Sequence, residues 1–260
     1  MQEVTSPVSL NWKTVLPPRP VTLRGRYVTL EPLEADRHAC ALWEAVRGHD
    51  GVWNWLADGP YTTEADLRRA LAEKQASTSA VFLAIVPADS ADMPKAAGYA
   101  SYMRIEPAHG VVEVGNILLT PVLQRTRAAT EAMYLMARYV FDELGYRRYE
   151  WKCNAENQPS RRAALRYGFS FEGIFRQHMV IKGHNRDTAW FAMLDSEWPD
   201  RKRAFEKWLD PANFGCNGEQ LHSLGQISLR AASQSDHENS ARADRPKSTL
   251  NTVQQRRFYT

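Results

Sequence analysis

The feature that most constrains the fold is a change of hydrophobic period at Thr120-Pro121. Before it, Val111 to Leu119 reads as a strand; after it, Ala129, Ala132, Met133, Met136, Val140 and Leu144 recur at helical spacing and Gly145 supplies the stop. A strand that feeds a long amphipathic helix must cover one face of a sheet with that helix, so an α/β layer architecture is expected. The rest of the chain extends the pattern. Tyr27 to Leu30 reads as a strand, Asp36 to Val46 and Thr63 to Lys74 as helices, and Val81 to Val86 and Gly98 to Ile105 as strands. Thr63 before Asp66 has the spacing of a capping box with Asp in place of Glu or Gln. Beyond Gly145, Arg147 to Lys152 reads as a strand, followed by a short helix with Pro159 in its first turn and Gly168 at its end. Strand-like Phe169 to Ile181 and Thr188 to Leu194 flank a turn at Lys182-Gly183-His184-Asn185, and a charged helix from Pro199 to Leu209 closes the series. The order β-α-α-β-β-β-α-β-α-β-β predicts an α/β domain with a mixed sheet.

Composition changes at both ends of this region. Residues 1–20 form a lead-in containing Pro17, Pro18 and Pro20, and residues 21–214 form the domain. From 215 to 260 polar residues dominate with few large apolar ones, which predicts a disordered tail. Lys and Arg total 33 against 30 Asp and Glu, a net charge of +3 that gives no general attraction to nucleic acid or an anionic membrane. Cys40, Cys153 and Cys216 follow neither a disulfide nor a zinc spacing, so no metal is expected. With no apolar run near ~20 residues and no signal-peptide core, the expected location is cytoplasmic.

The strand-loop-helix at Val111 to Leu144 also carries chemistry. A helix N-terminus presents unpaired N–H groups and the positive end of the dipole, and so suits phosphate. Gln124, Arg125, Thr126, Arg127, Ala128 and Ala129 lead into that terminus; the small alanines permit close approach and the arginines add cationic forks. The same pattern also fits an ordinary loop with two solvated arginines. A second stretch, Asn154-Ala155-Glu156-Asn157-Gln158-Pro159-Ser160, then Tyr167-Gly168-Phe169 and Glu172-Gly173, follows downstream.

Together these residues resemble the GNAT acetyltransferase superfamily, in particular the branch that acetylates ribosomal-protein N-termini and its small-molecule relatives. Further similar features are Arg176, Gly183 with Asp187, and the opening Leu23 to Leu33. The resemblance spans about Val21 to Leu194. It implies the GNAT fold, with a mixed, mostly antiparallel central sheet splayed at the cofactor site and flanked by helices. It also implies acetyl-CoA as acyl donor. The family's phosphate loop is Gln/Arg-x-x-Gly-x-Gly/Ala, and here Arg127 stands at the first Gly and Ala129 at the second small residue. Gly reaches positive φ without strain and Arg does not; on this reading Arg127 contributes charge in exchange for backbone access.

The resemblance also implies roles. Backbone around Asn116, Ile117, Leu118 and Leu119 matches the splayed strand that holds pantetheine and the thioester carbonyl. Asn157 matches a pantetheine-contacting asparagine, and it also suits a helix cap. Glu113 is the candidate base, provided burial raises its basicity; the alternative is a strand glutamate facing solvent or paired with Arg104. The family's usual tyrosine acid is replaced by Ala164, which leaves Ser160 as candidate proton donor or as a helix-start serine. Trp53, Trp55 and Tyr61 either cradle an amine or fill core, and His178 either reaches the acceptor or is structural. Trp151, Trp190 and Phe191 are assigned to the core. Three functions fit: acetyl transfer to a small-molecule amine, the same transfer to a protein N-terminus, or an acyl-CoA-binding module without catalysis. The expected partner is the small amine, with no nucleic acid or membrane, in a monomer or homodimer.

Overall fold

The computed structural model describes residues 10–88 and 95–228. Its strands are β1 (Leu23–Arg24), β2 (Val28–Pro32), β3 (Ala80–Pro87), β4 (Gly98–Glu106), β5 (Val111–Leu119), β6 (Arg148–Asn154), β7 (Ser170–Ile181) and β8 (His184–Leu194). The helices are α1 (Ala35–Val46), α2 (Glu64–Gln75), α3 (Arg127–Arg138), α4 (Gln158–Arg166) and α5 (Trp198–Leu209). Every element expected from the sequence is present within a few residues of its expected bounds, and β1 is an addition. At α2, Thr63 Oγ1 accepts from the Asp66 N–H at 3.1 Å, but the Asp66 carboxylate takes the Thr63 hydroxyl instead of its N–H. The capping box is thus half completed, because an aspartate side chain is one methylene too short to reach back.

The sheet runs β1-β2-β3-β4-β5-β6-β8-β7 and is antiparallel except at β5–β6. That parallel join is forced by the α3 crossover, and it is also where the sheet opens. β5 and β6 pair only from Val111↔Arg148 to Val114↔Trp151, although β5 continues to Leu119 and β6 to Asn154. The cause is local. Gly115 pairs with Ser101 and Leu118 with Tyr99, so Asn116 and Ile117 together oppose one residue of β4. This β-bulge puts Asn116 at φ 50°, a left-handed value that asparagine tolerates, and its Nδ2 donates to Ser101 Oγ at 3.0 Å. A bulge bends its strand, and here it turns β5 away from β6.

Strand alternation divides the core between the faces. Leu83 and Ile85 join the cluster beneath α3 and α5, whereas Ala84 and Val86 join the cluster beneath α1 and α2. Ten of the twelve α3 residues are buried, so this helix is enclosed rather than amphipathic on a surface. Trp53 is 1% exposed, sits in the α1–α2 cluster and meets Tyr61 edge-on at 5.1 Å. Both therefore fill core instead of forming an acceptor cage.

The flanking segments are held to the domain, and one boundary needs correction. The lead-in is docked where it is described: Trp12 Nε1 donates to Ala108 O at 2.8 Å and the Val15 N–H to Pro107 O at 3.2 Å; residues 1–9 lie outside the described residues. The expected tail from residue 215 starts too early. Residues 215–228 fold back, Asn213 binds His222 through both backbone groups, and Leu224 and Ile227 enter the main core. A reciprocal Ser223–Gln226 cap starts the helical turn over 224–228. Two apolar side chains in a polar stretch suffice for this packing, which composition averages away. The remainder of the expected tail, 229–260, lies outside the described residues.

Candidate active site

The opened β5–β6 join, the start of α3 and the β7–β8 hairpin enclose a cavity of about 1680 Å³. It exceeds the roughly 300–1,000 Å³ of a single small-ligand pocket and has room for two reactants. Eight cationic side chains line it against two carboxylates, Glu44 and Glu113. The net charge of +3 conceals this local excess, which suits a polyanion.

The α3 end supplies phosphate-binding geometry. Thr126 caps the helix, accepting from Ala129 N–H at 3.1 Å, while its own hydroxyl donates to Leu123 O at 2.7 Å. The N–H groups of Arg125, Arg127 and Ala128 take no hydrogen bond among the described residues, and all three residues line the cavity. The left-handed residue of this loop is Arg125, at φ 64°, and not Arg127, which is the first residue of α3. Arg127 therefore needs no glycine-like freedom. Its guanidinium lies between the rings of Tyr27 and Phe214, 4.7 Å from each centroid. That placement departs from the expected fork aimed at phosphate: the side chain ties α3 to β2 and to the C-terminal segment. Gln124 Nε2 donates to Leu119 O at 3.0 Å, closing the loop on the strand end. Sequence reasoning missed Arg166, which lines the same region, donates to Thr130 Oγ1 at 3.1 Å and stacks on Trp208.

Along the opening, Gly115, Asn116, Ile117 and Leu119 line the cavity and have no strand partner on the β6 side, whereas Leu118 points into the α1–α2 cluster. Asn157 and Ser160 face them from α4. Asn157 caps α4, its Oδ1 accepting from Ser160 N–H at 3.1 Å, and keeps its amide nitrogen for another partner. Ser160 Oγ accepts from Trp151 Nε1 at 3.0 Å, which orients its own hydrogen. Burial pushes up the pKa of the Cys153 thiol, and Ser160 opposes that shift. Trp151 is 5% exposed, and its core position leaves only the indole nitrogen to act.

Glu113 lies deeper, 3% exposed, with Oε2 2.6 Å from Arg104 and 3.0 Å from Lys152. The pairing with Arg104 expected as the alternative role is thus present, joined by a cation the sequence did not reveal. Lys152 is itself 3% exposed, reaches Glu150 at 2.7 Å, and stands 3.7 Å over the Trp190 ring. Trp190, expected in the core, instead supports this ammonium and stacks with Phe175. The parallel pairing that sets Glu113 beside Glu150 brings the carboxylates together, and Lys152 bridges them. No motif spacing announces that bridge.

His178 stands on a bulge of β7, where Gln177 takes φ 49° and its N–H donates to Asp187 Oδ1 at 2.7 Å. The ring is 2.9 Å from Thr188 Oγ1 through Nδ1. His178 is exposed and lies beside the cavity rather than among its lining residues; slight desolvation and then the charges of Arg104, Arg186 and Lys152, opposed by Glu113, lower the imidazole from its ordinary value, so it is neutral near pH 7. In the tautomer with Nδ1 protonated, Nε2 carries a free lone pair. Of the aromatic trio, only Trp55 lines the cavity, at 41% exposure. The hairpin tip crosses toward it, with Lys182 Nζ donating to Trp53 O at 3.0 Å.

A family model described as an acetyltransferase (GNAT) domain matches residues 28–170. The chain is a GNAT acetyltransferase. A GCN5-related N-acetyltransferase structure from Brucella melitensis is 48% identical, covers 84% of this enzyme and 99% of its own chain, and superposes with a TM-score of 0.81. YnaD of Bacillus subtilis strain 168, described as an uncharacterised N-acetyltransferase, is 26% identical over 160 residues, 60% of this enzyme and 89% of the relative. A ribosomal-protein-serine acetyltransferase structure from Vibrio cholerae, at 17% identity and a TM-score of 0.58, shares the fold; it covers 67% of this enzyme and 97% of its own chain. The family model and the Brucella melitensis structure place the enzyme among N-acetyltransferases. Among the described residues no helix is long and apolar enough to cross a membrane.

Proposed function

We propose that the enzyme moves the acetyl group of acetyl-CoA onto the amine of a small molecule. The observation that carries the choice of a small molecule is the crossing of the β7–β8 hairpin, fixed by the Lys182–Trp53 bond, which bounds the acceptor side where a polypeptide would need an open groove. The cavity's cationic excess, the bare N–H groups at α3 and the unpaired edge of β5 fit the donor. Acetyl-CoA supplies an acyl group activated as a thioester. Arg125 and the α3 N–H groups would hold its phosphates, and Asn157 with the β5 edge its pantetheine.

The attacking amine must be neutral. His178 Nε2 is the proton acceptor in this reading, since it is neutral in the working range, whereas Glu113 is held by two cations through Oε2. Glu113 then acts as the anchor that positions Arg104 and Lys152. Ser160 Oγ–H, polarised by the Trp151 N–H it accepts, would protonate the departing sulfur. Free-thiol release with panels of small amines and of short peptides tests the reading. Turnover on amines, with peptides slower, is expected; preferential acetylation of peptide N-termini would overturn it.

A further inference from the structure

The cations of the cavity differ in what already holds them. Arg104 and Lys152 are paired with Glu113, Arg127 lies between two rings, and Arg166 is bound by Thr130 and Trp208. Arg186 is the exception on the acceptor side. It lines the cavity and is partly buried, yet it forms no ion pair among the described residues. Its one hydrogen bond runs from Nε to Thr188 Oγ1 at 3.2 Å, and Nη1 and Nη2 have no protein acceptor there. Burial works against its charge and Arg104 adds to that, with only Glu113 and the Cys153 thiol in opposition.

A guanidinium withdrawn from water without a counter-anion is costly, and an arriving oxyanion would recover that cost through two parallel N–H···O bonds. Its position excludes the donor's phosphates as the first candidate. Arg186 is on β8, paired with the cavity-lining Met179 and beyond the last β6–β8 rung at Asn154↔Thr188. It shares the charged neighbours Arg104 and Glu113 with His178. The phosphate-binding N–H groups belong to α3, on the other side of the opened join.

Resting on the reading of acetyl transfer to a small amine, we infer that Arg186 is a specificity-determining residue that grips an oxyanion on the acceptor, so the substrate is an amine that also carries a carboxylate or phosphate. Thr188 fixes the fork through Nε, and the same hydroxyl meets His178, so anion and amine are held by one connected set of side chains.

Two readouts test this. First, acetate and inorganic phosphate are titrated separately into the enzyme saturated with coenzyme A, followed by tryptophan fluorescence. Arg186→Gln should weaken anion binding about ten- to hundredfold and leave coenzyme A affinity unchanged, with Arg186→Lys intermediate. A response to acetate alone or phosphate alone identifies the anion. Second, thiol release is compared for amino acids against their amides, and for phosphoethanolamine against ethanolamine. The charged member should win through KM, and only that advantage should vanish in Arg186→Gln. Equal use of both members, anion binding indifferent to Arg186, or a loss of coenzyme A affinity in Arg186→Gln would overturn the inference. Arg186-dependent anion binding with no acetylation of any amine would retain the oxyanion subsite and sink the small-amine reading instead.

Discussion

Glu131 of α3 provides a measurable link between the start of the sheet and the helix that opens the cavity. Its carboxylate, 6% exposed, accepts from three successive N–H groups: Arg26 at 2.9 Å, Tyr27 at 2.6 Å and Val28 at 3.0 Å. The turn between β1 and β2 is thus wrapped around one side chain. In Glu131→Ala the Arg26 N–H, on an exposed residue, can turn to water, but Tyr27 and Val28 are buried and their N–H groups lose their acceptor. At about 1–3 kcal/mol for each buried orphan, the expected loss is about 2–6 kcal/mol. Gly25→Ala should act at the same place, because a Cβ there would stand 2.4 Å from the Glu131 carboxylate carbon. Urea denaturation near neutral pH, read as a midpoint shift at constant slope, measures both, and the double variant should fall well short of the sum. Acetyl-CoA affinity should fall alongside, since Tyr27 is one of the rings that hold Arg127 at the α3 start. A loss below about 1 kcal/mol in Glu131→Ala would refute the wrapped-turn argument.

Glu113→Gln should lower stability by about 1–3 kcal/mol along with activity, because Lys152 keeps Glu150 and the half-exposed Arg104 can turn to water; urea denaturation showing activity lost at full stability would restore Glu113 as the base. The ratio of wild-type to His178→Ala kcat/KM, in which protonation of the amine itself cancels, should exceed one near neutral pH and fall toward one as His178 protonates below its ordinary range; a ratio independent of pH would exclude His178. A chain ending at Phe214 forfeits the burial of Leu224 and Ile227, about 3–6 kcal/mol together; an unchanged thermal midpoint would contradict their place in the core.

The elements were legible because their signals are local. The switch of period at Thr120-Pro121, the caps at Thr63 and Asn157, and the glycine stops at 145 and 168 each depend on neighbours a few residues away. The GNAT resemblance was carried by motifs of the same range, and Asn116, Ile117, Leu119, Asn157 and Ser160, which it singled out, line the cavity. Local reasoning failed where a side chain had two possible partners. Trp53, Trp55 and Tyr61 are nearly adjacent in sequence, yet only Trp55 faces the cavity, because the 3₁₀ turn at Asp50–Trp53 rotates its last residue under α1 and α2.

What the amino-acid sequence determined by itself is the order of strands and helices and the family. Tertiary structure alone decided how charges are partnered. Glu113 and Lys152 are separated by a helix and a strand junction, Arg186 and His178 by a turn and a bulge, and Arg127 meets rings from both ends of the domain. A charged side chain acts according to whichever group shares its low-dielectric surroundings, and that neighbour is chosen by sheet register and packing rather than by spacing along the chain.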